Sequence, residues 1–291
     1  MRRILITGEH SYVGGSVLSY LNRMPDQYQA DALSVRGEDW KEASFQGYDA
    51  VLHAAAIVHQ PGSKDDPAQA ELYDRVNTRL AIELARKAKA DGVGQFLFMS
   101  SESVYGLHAP VGKPVVITAD TPICPVDNYG ISKAKAEAGI LALQDETFKV
   151  VILRPPMIYG KGCKGNYQTL AKLAKKLPVF PKVENRRSML YIGNFCEFVR
   201  LLVEDSAQGI FCPQNENYVC TSDMVAKIAH ANGRRIALIP GFTWALKLLR
   251  PVTGMVDKAF GSLCYDPSLS DYPKNYCVTD FDASISETEG S

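Results

Sequence analysis

The sequence has no excess of either charge. Lys plus Arg and Asp plus Glu number 32 each in 291 residues, so it lacks the global field by which a chain gathers nucleic acid or an acidic membrane surface. It has no Cys-X-X-Cys pair. Its seven cysteines (Cys124, Cys163, Cys196, Cys212, Cys220, Cys264, Cys277) are odd in number, scattered and without a histidine at zinc spacing, the pattern of reduced thiols rather than a disulfide framework. His10, His53, His59, His108 and His230 do not cluster with carboxylates, so no metal site is expected. Long hydrophobic runs are missing too. Met1 to Thr7 holds two arginines and an apolar run too short for a signal peptide or a membrane span, and the expectation is a cytoplasmic protein. The most apolar stretch, "IALIPGFTWALKLLRPVTGMVDKAF", is broken by Pro, Gly, Lys247 and Arg250. It cannot span a bilayer; it either packs within its domain or, over 239–260, leans on a membrane as an amphipathic helix. No repeat or low-complexity segment occurs.

What is present is a globular composition, 46% hydrophobic and 22% charged, in a length that suits one large domain or two modest ones. Short apolar runs alternate with helical patterns, which predicts a parallel sheet covered by helices. "RRILITG", "ADALSVR", "YDAVLHAAA", "GQFLFMSS" and "FKVVILRPP" read as strands; "GSVLSYLNRM" and "YGISKAKAEAGILALQ" read as helices. Leu72, Val76, Leu80 and Leu84 recur every four residues as the core stripe of one long helix ending near Gly92. After Pro156 the rhythm changes. The predicted organisation is a dinucleotide-type domain over 1–159, with 188–205 returning to it, and a smaller C-terminal cap over 160–291. The polar tail "SISETEGS" is expected to fray.

A dinucleotide fingerprint needs three glycines: one for the tight turn, one for pyrophosphate approach and one for helix–strand packing. "ITGEHSYVGG" supplies Gly8 and Gly14 but has Ser11 between them. Serine is small enough to stand there if its backbone avoids a glycine-only conformation, and its hydroxyl has the chemistry to donate to phosphate. The small residues of "HAAA" let a flat ligand approach backbone, although His53 read alone is a core histidine. The chemistry-bearing set is "MSSESVYG" followed by "NYGISK". Tyr129 and Lys133 stand one turn apart on one helix face. An ammonium there lowers the phenol's ordinary pKa of about 10 and makes it an acid or base near neutrality. Ser101, at a strand end, is placed to steady charge on the same substrate oxygen.

Taken together, "TGEHSYVG", "DAVLHAAA", Asn77 in "VNT", "SSESVYG", Tyr129 with Lys133, and "RPPMIYGKG" resemble the extended short-chain dehydrogenase/reductase family, in its nucleotide-sugar branch. The resemblance runs over nearly the whole chain. It implies a Rossmann-like doubly wound parallel sheet with a smaller substrate-binding cap. A nicotinamide dinucleotide would lie on Gly8, Ser11, Tyr12, Val13, Gly14, Arg36, His53, Ala54, Ala55, Asn77, Tyr129, Lys133 and Pro156. Ser101, Tyr129 and Lys133 would be catalytic. A UDP-linked sugar would meet Ser101, Asn166, Arg187 and Lys258, and a homodimer would form through the helices bearing Asn77 and Tyr129.

Two departures refine this expectation. Arg36 stands where NAD-preferring members carry an acidic residue, which favours NADP(H), with NAD(H) the alternative and a solvated surface arginine the plain reading. Only thirteen residues separate Arg36 from Ala50, too few for an inserted strand and helix, and Asp39 and Trp40 are candidates to border the adenine. In addition, "NRRSMLYIGN" resembles the family's diphosphate-gripping segment, yet the second arginine of UDP-galactose 4-epimerases has only Lys258 as counterpart. The similarity to 4-ketoreductases of capsule and O-antigen pathways implies reduction of a UDP-4-keto-6-deoxy-2-acetamido sugar. The alternatives are a UDP-hexose 4-epimerase with tightly held NAD and, more distantly, a non-catalytic dinucleotide sensor.

Overall fold

Short runs rich in Ile, Leu, Val and Phe form the inner strands of the central six-stranded sheet and are buried on both faces because both faces are covered, whereas the two outer runs, YQADAL and GIF, are only partly buried. A computed structural model describes residues 1–8, 10–58, 66–241 and 255–290. Its strands β1 (Arg2–Thr7), β2 (Tyr28–Leu33), β3 (Ala50–His53), β4 (Gln95–Met99), β6 (Lys149–Leu153) and β10 (Gly209–Phe211) pair in the order β10-β6-β4-β3-β1-β2. Every pairing is parallel. The order reverses between β1 and β3, the topological switch point at which open parallel sheets present loops to a ligand. This is the doubly wound α/β fold expected from the sequence.

One face of this sheet carries Leu5, Val51, Phe96, Phe98, Val150 and Ile152, which join Ala81, Leu84, Ala85 and Ala88 of α3 (Leu80–Ala90) and Ala136 and Ile140 of α4 (Asn128–Leu141) in one buried cluster. Each large side chain buried there is worth about 1.5–3 kcal/mol. The alternating residues Ile4, Ile6, Leu52, Leu97 and Val151 point to the opposite face and are equally inaccessible. Helices α1 (Tyr12–Leu21) and α6 (Ile192–Glu204) are tied by Tyr20, whose hydroxyl donates to Glu197 at 2.8 Å, while Arg200 donates to the same carboxylate at 2.7 and 2.8 Å.

Three details differ from the sequence reading. The long helix before Gly92 is interrupted: α2 (Pro67–Tyr73) passes into a π-helical segment, Asp74–Arg79, before α3. The wider turn rotates the buried face, so Tyr73, Asn77, Ala81 and Leu84 are buried while Leu72, Val76 and Leu80 are only half-buried. Strand β2 stops at Leu33, leaving Arg36 exposed in the following turn. Trp40 sits in a short 3-10 turn, Asp39–Lys41, and belongs to the core cluster beside Phe45 rather than to a ligand surface.

The chain divides into two compact units, 1–106 with 122–155 and 196–212, and 107–121 with 156–195 and 213–291. The division therefore falls at Pro155, the returning stretch is 196–212 rather than 188–205, and the loop 107–121 belongs to the second unit. That unit contains three parallel strand pairs: β5 (Val115–Ile117) with β12 (Leu263–Tyr265), β7 (Met157–Tyr159) with β9 (Met189–Tyr191), and β8 (Val179–Pro181) with β11 (Ala237–Ile239). Among the described residues it also contains helices α5 (Asn166–Lys176), α7 (Thr221–Ala231), α8 (Met255–Phe260) and α9 (Phe281–Glu289).

The tail is helical through Glu289. Asp280 caps α9 by accepting the N–H of Ala283 at 2.8 Å, Ser284, Ile285 and Thr288 are buried, and Glu289 pairs with Lys175 at 2.7 Å. Among the described residues no helix is long and apolar enough to cross a membrane. Most of the 239–260 stretch lies outside the described residues.

Candidate active site

The loop after β1 shows why a serine replaces the middle glycine. Gly8 has φ +94°, and a Cβ on it would lie 2.5 Å from the backbone nitrogen of Ala55, so only glycine lets the loop touch the end of β3. A Cβ on Gly14 would lie 2.4 Å from the Gly8 carbonyl oxygen. Ser11 carries no such demand: its φ of −78° and ψ of 150° are ordinary extended backbone. Its N–H donates to the Gly8 carbonyl at 2.8 Å, and its Oγ accepts the N–H of Gly14 at 2.9 Å. Ser11 is thus the N-cap of α1, and its hydroxyl oxygen is turned to the helix rather than reserved for a ligand. Tyr12 and Val13 form the first turn of α1, half-buried.

At the end of β3, Ala54 and Ala55 lie directly against Gly8. His53 does not reach the loop surface. It is fully buried, its Nδ1 is 2.6 Å from Thr7 Oγ1, and its ring stacks on Phe98 with centroids 6.0 Å apart. Burial, reinforced by the Lys133 charge, pushes its pKa down to about 3, so the ring is neutral, and its contact to a ligand expected from the sequence is replaced by a place in the core. Asn77, in the π-helical segment, is also fully buried. It accepts the N–H of Ile57 and donates to the Ile57 carbonyl, both at 2.9 Å, and donates to Ser132 Oγ at 3.1 Å. It fixes the loop that follows β3 onto α4.

Ser101, Tyr129 and Lys133 come together at the carboxyl end of β4. Ser101 caps the short 3-10 turn Glu102–Tyr105 by accepting the N–H of Ser103 at 3.2 Å. Asp127 caps α4 by accepting the N–H of Gly130 at 2.8 Å. A Cβ on Gly130 would stand 2.5 Å from the Ser103 carbonyl oxygen, so that glycine lets the start of α4 press on the turn that Ser101 caps, and Ser101 is near enough to Tyr129 to act on its phenol. Lys133 is 1% exposed; its ammonium donates to the Met99 carbonyl at 2.6 Å and lies 6.0 Å from the centre of the Tyr129 ring.

The electrostatics correct the expected sign. Burial pushes the Tyr129 phenol up to about 12, only partly opposed by the Ser101 hydrogen bond. Burial pushes the Lys133 ammonium down to about 7, with Glu137 opposing it. Burial thus keeps the phenol protonated at neutral pH, and the ammonium donates to the Met99 carbonyl. Tyr73, which no sequence pattern marked, packs edge-on against Tyr129 with centroids 6.4 Å apart and donates to the Val58 carbonyl at 2.8 Å.

Known proteins share this fold. The family model described as the NAD dependent epimerase/dehydratase family matches residues 4–212. The chain belongs to that family. It is similar to a UDP-glucose 4-epimerase of Vibrio cholerae, 30% identical over 92% of this chain and 88% of the relative. In structure it resembles RMD from Pseudomonas aeruginosa complexed with NADPH, with a TM-score of 0.75, 18% identity and coverage of 99% and 98% of the two chains. It also resembles a UDP-glucuronic acid 4-epimerase from Bacillus cereus in complex with NAD, with a TM-score of 0.73, 16% identity and coverage of 98% and 96%.

As a member of the epimerase/dehydratase family the chain is an enzyme of the oxidoreductase and epimerase class. Its remaining sequence-marked residues lie in the second unit. Pro156 is buried immediately before β7. Asn166 is exposed as the first residue of α5, whose N-cap Gly165 supplies no side chain to its N–H groups. Arg187 and Lys258 do come together: the Arg187 guanidinium donates to the Lys258 carbonyl at 2.5 Å. The backbone of Arg187 is bridged to Val219.

The sequence reading also missed a buried polar set next to Lys133. Arg154, one residue past β6, donates to both Glu137 oxygens at 3.0 and 2.6 Å and to the Tyr105 hydroxyl at 2.9 Å. The signal was present, since Glu137 follows Lys133 by one helical turn and Arg154 precedes the two prolines that end a strand, but pairing them needs the tertiary fold.

Proposed function

We propose that this enzyme reduces the C4 ketone of a UDP-4-keto-6-deoxy-2-acetamido sugar, of the kind used in surface polysaccharides, with NADP(H) as cofactor. The observation that carries the reading is the Tyr129 phenol: burial holds it protonated, with a pKa pushed up to about 12, so it is an acid awaiting a stronger base. Ser101 and Tyr129 donate hydrogen bonds to the ketone oxygen. As negative charge develops there, the oxygen becomes more basic than the phenol and takes the Tyr129 proton. The Lys133 ammonium, 6.0 Å from the Tyr129 ring centre, then stabilises the phenolate left behind. A nicotinamide cofactor held there would supply the hydride.

The residues present fit a dinucleotide. Gly8 and Gly14 close the β1–α1 turn so tightly that neither accepts a Cβ, and the turn leads into a helix N-terminus, where first-turn N–H groups favour a pyrophosphate. Gly8, Ser11, Tyr12, Val13, Gly14, Ala54 and Ala55 would hold it. Arg36 is exposed past the end of β2, and the one carboxylate within β2, Asp31, is engaged by Tyr48 at 3.0 Å and Gln29 at 3.2 Å. That leaves an arginine rather than a strand carboxylate to meet the adenosine ribose and supports a 2′-phosphate there. In the second unit, Asn166, Arg187 and Lys258 supply donors of the type a UDP diphosphate takes.

A second reading, a UDP-hexose 4-epimerase, is favoured by the similarity to the Vibrio cholerae relative. The two separate on purified protein. NADPH consumed only when a UDP-4-keto-6-deoxy sugar is added, with the product's C4 configuration assigned by NMR, is the expected result. Co-purifying NAD with interconversion of UDP-hexoses in the absence of added cofactor would overturn it in favour of the epimerase.

A further inference from the structure

Two neighbouring residues at the end of β4 are each held by a charged residue of α4, and the two charged residues are themselves one helical turn apart. Met99 gives its carbonyl to the Lys133 ammonium at 2.6 Å. Ser100 donates its hydroxyl to the Glu137 carboxylate. Arg154 fixes that carboxylate from the other side with two further bonds. It directly follows the adjoining strand, in which Met99 is paired with Leu153 and the Ser100 N–H donates to the Leu153 carbonyl at 2.8 Å. Glu137 is 2% exposed and Arg154 6%. A buried ion pair is a weak source of stability, since apolar residues of the same shape would hold a core as well, so the arrangement is better explained by what it positions.

We propose that Glu137 is a positioning residue: braced by Arg154, it locks Ser100 and with it the carboxyl end of β4 onto α4, which sets the Met99 carbonyl against the Lys133 ammonium and Ser101 against the Tyr129 hydroxyl. The inference rests on the acid role of Tyr129 proposed above. Glu137 is also the negative charge nearest in sequence on the face of α4 that carries Lys133. The groups facing Lys133 are Tyr129 and Glu137 from α4 and the neutral His53 from β3, with the Phe98 ring and the Met99 carbonyl from β4. Removing the carboxylate charge, or letting the Met99 carbonyl drift, disfavours the ammonium in either case.

The test is the titration of Lys133 itself, read by NMR on protein carrying lysine labelled with 13C at Cε and assigned by the signal missing from Lys133→Met. The expected midpoint in the unaltered chain is near pH 7. In Glu137→Gln it falls by about one pH unit. Ser100→Ala, which leaves the Glu137–Arg154 pair intact, moves it in the same direction and keeps the question decidable if Glu137→Gln does not fold. Tyr105→Phe, which removes an equally buried bond of Arg154 without touching Ser100, leaves it in place. With the sugar that turns over, Ser100→Ala lowers kcat on the order of tenfold while dinucleotide Kd stays within about twofold. A Lys133 midpoint unmoved in both Glu137→Gln and Ser100→Ala, or moved equally by Tyr105→Phe, overturns the proposal. If no 4-keto sugar or UDP-hexose is turned over, the functional reading fails while the lysine titration still decides the brace.

Discussion

The side-chain amide of Asn77 closes on both backbone polar groups of Ile57, accepting one and donating to the other at 2.9 Å. Two backbone needs of a half-buried loop are met by one residue, and the π-helical segment that holds Asn77 is what turns it inward. Asn77→Ala removes three hydrogen bonds at a fully buried position and leaves the Ile57 N–H and carbonyl unpaired. The expected cost is about 2–4 kcal/mol of unfolding free energy, read from urea denaturation. A loss below about 1 kcal/mol would mean that water replaces the amide and that the clasp is not what orders the loop.

The Ser11 cap separates two explanations of the irregular glycine pattern. If Ser11 is there to cap α1, Ser11→Ala costs about 1 kcal/mol and Ser11→Gly only a few tenths. Gly14→Ala should be far more damaging than either, because its new Cβ would meet the Gly8 carbonyl oxygen at 2.4 Å and backbone has to shift. Thermal unfolding of the three variants orders them. Ser11→Ala matching the unaltered chain would show that the hydroxyl contributes nothing to the helix.

Legibility in the sequence followed the range of the interactions involved. The strands were readable because runs such as Phe96, Leu97 and Phe98 are buried on both sides of a parallel sheet, and Tyr129 with Lys133 was readable because a four-residue spacing on a helix is local geometry. The buried face of α2 and α3 was not, because one π-helical segment breaks the 3.6-residue period on which the Leu72, Val76, Leu80 stripe was built. Trp40 and His53 carry side chains that suit a ligand or a core equally well, and only tertiary neighbours such as Phe45 and Phe98 decide between them. The tail reads as polar, yet Ser284 and Thr288 are buried because Tyr159 donates to or accepts from Ser284 Oγ at 2.7 Å and Thr288 bonds back to its own helix at 2.6 Å. The sign of the Tyr129 shift was misread for the same reason: it is set first by burial, which only the tertiary fold supplies.

His53 makes a pH-dependent contribution whose sign is fixed by its burial. Its folded-state pKa is about 3 against an ordinary 6.5, so the folded chain keeps it neutral while the unfolded chain takes up a proton as pH falls below 6.5. The unfolded state binds more protons throughout the window from about 6.5 down to about 3. Stability is therefore complete above that window and is lost progressively through it. His53→Asn removes the titration. Between pH 6 and 4 the difference between the two chains should amount to about 1.4 kcal/mol per pH unit, the value for one proton, in urea denaturation. Parallel acid limbs for the two chains would show that His53 is protonated in the folded state.

Arg36 offers the sharpest separation of the two cofactors. The turn that carries it is exposed, and its backbone N–H reaches only the Ser34 hydroxyl, at 3.4 Å, so substitution there should leave the fold undisturbed. A guanidinium that meets a 2′-phosphate makes charge-assisted bonds absent from the complex with the unphosphorylated cofactor. Arg36→Ala should accordingly weaken NADPH binding about tenfold and leave NADH binding unchanged, with both Kd values taken from fluorescence titration. The contrast should shrink as salt is raised, because an exposed ion pair is screened. Equal weakening of both cofactors would show that Arg36 does not read the 2′-phosphate and would return the choice of cofactor to the residues after it, Glu38 and Asp39, whose carboxylates suit free ribose hydroxyls.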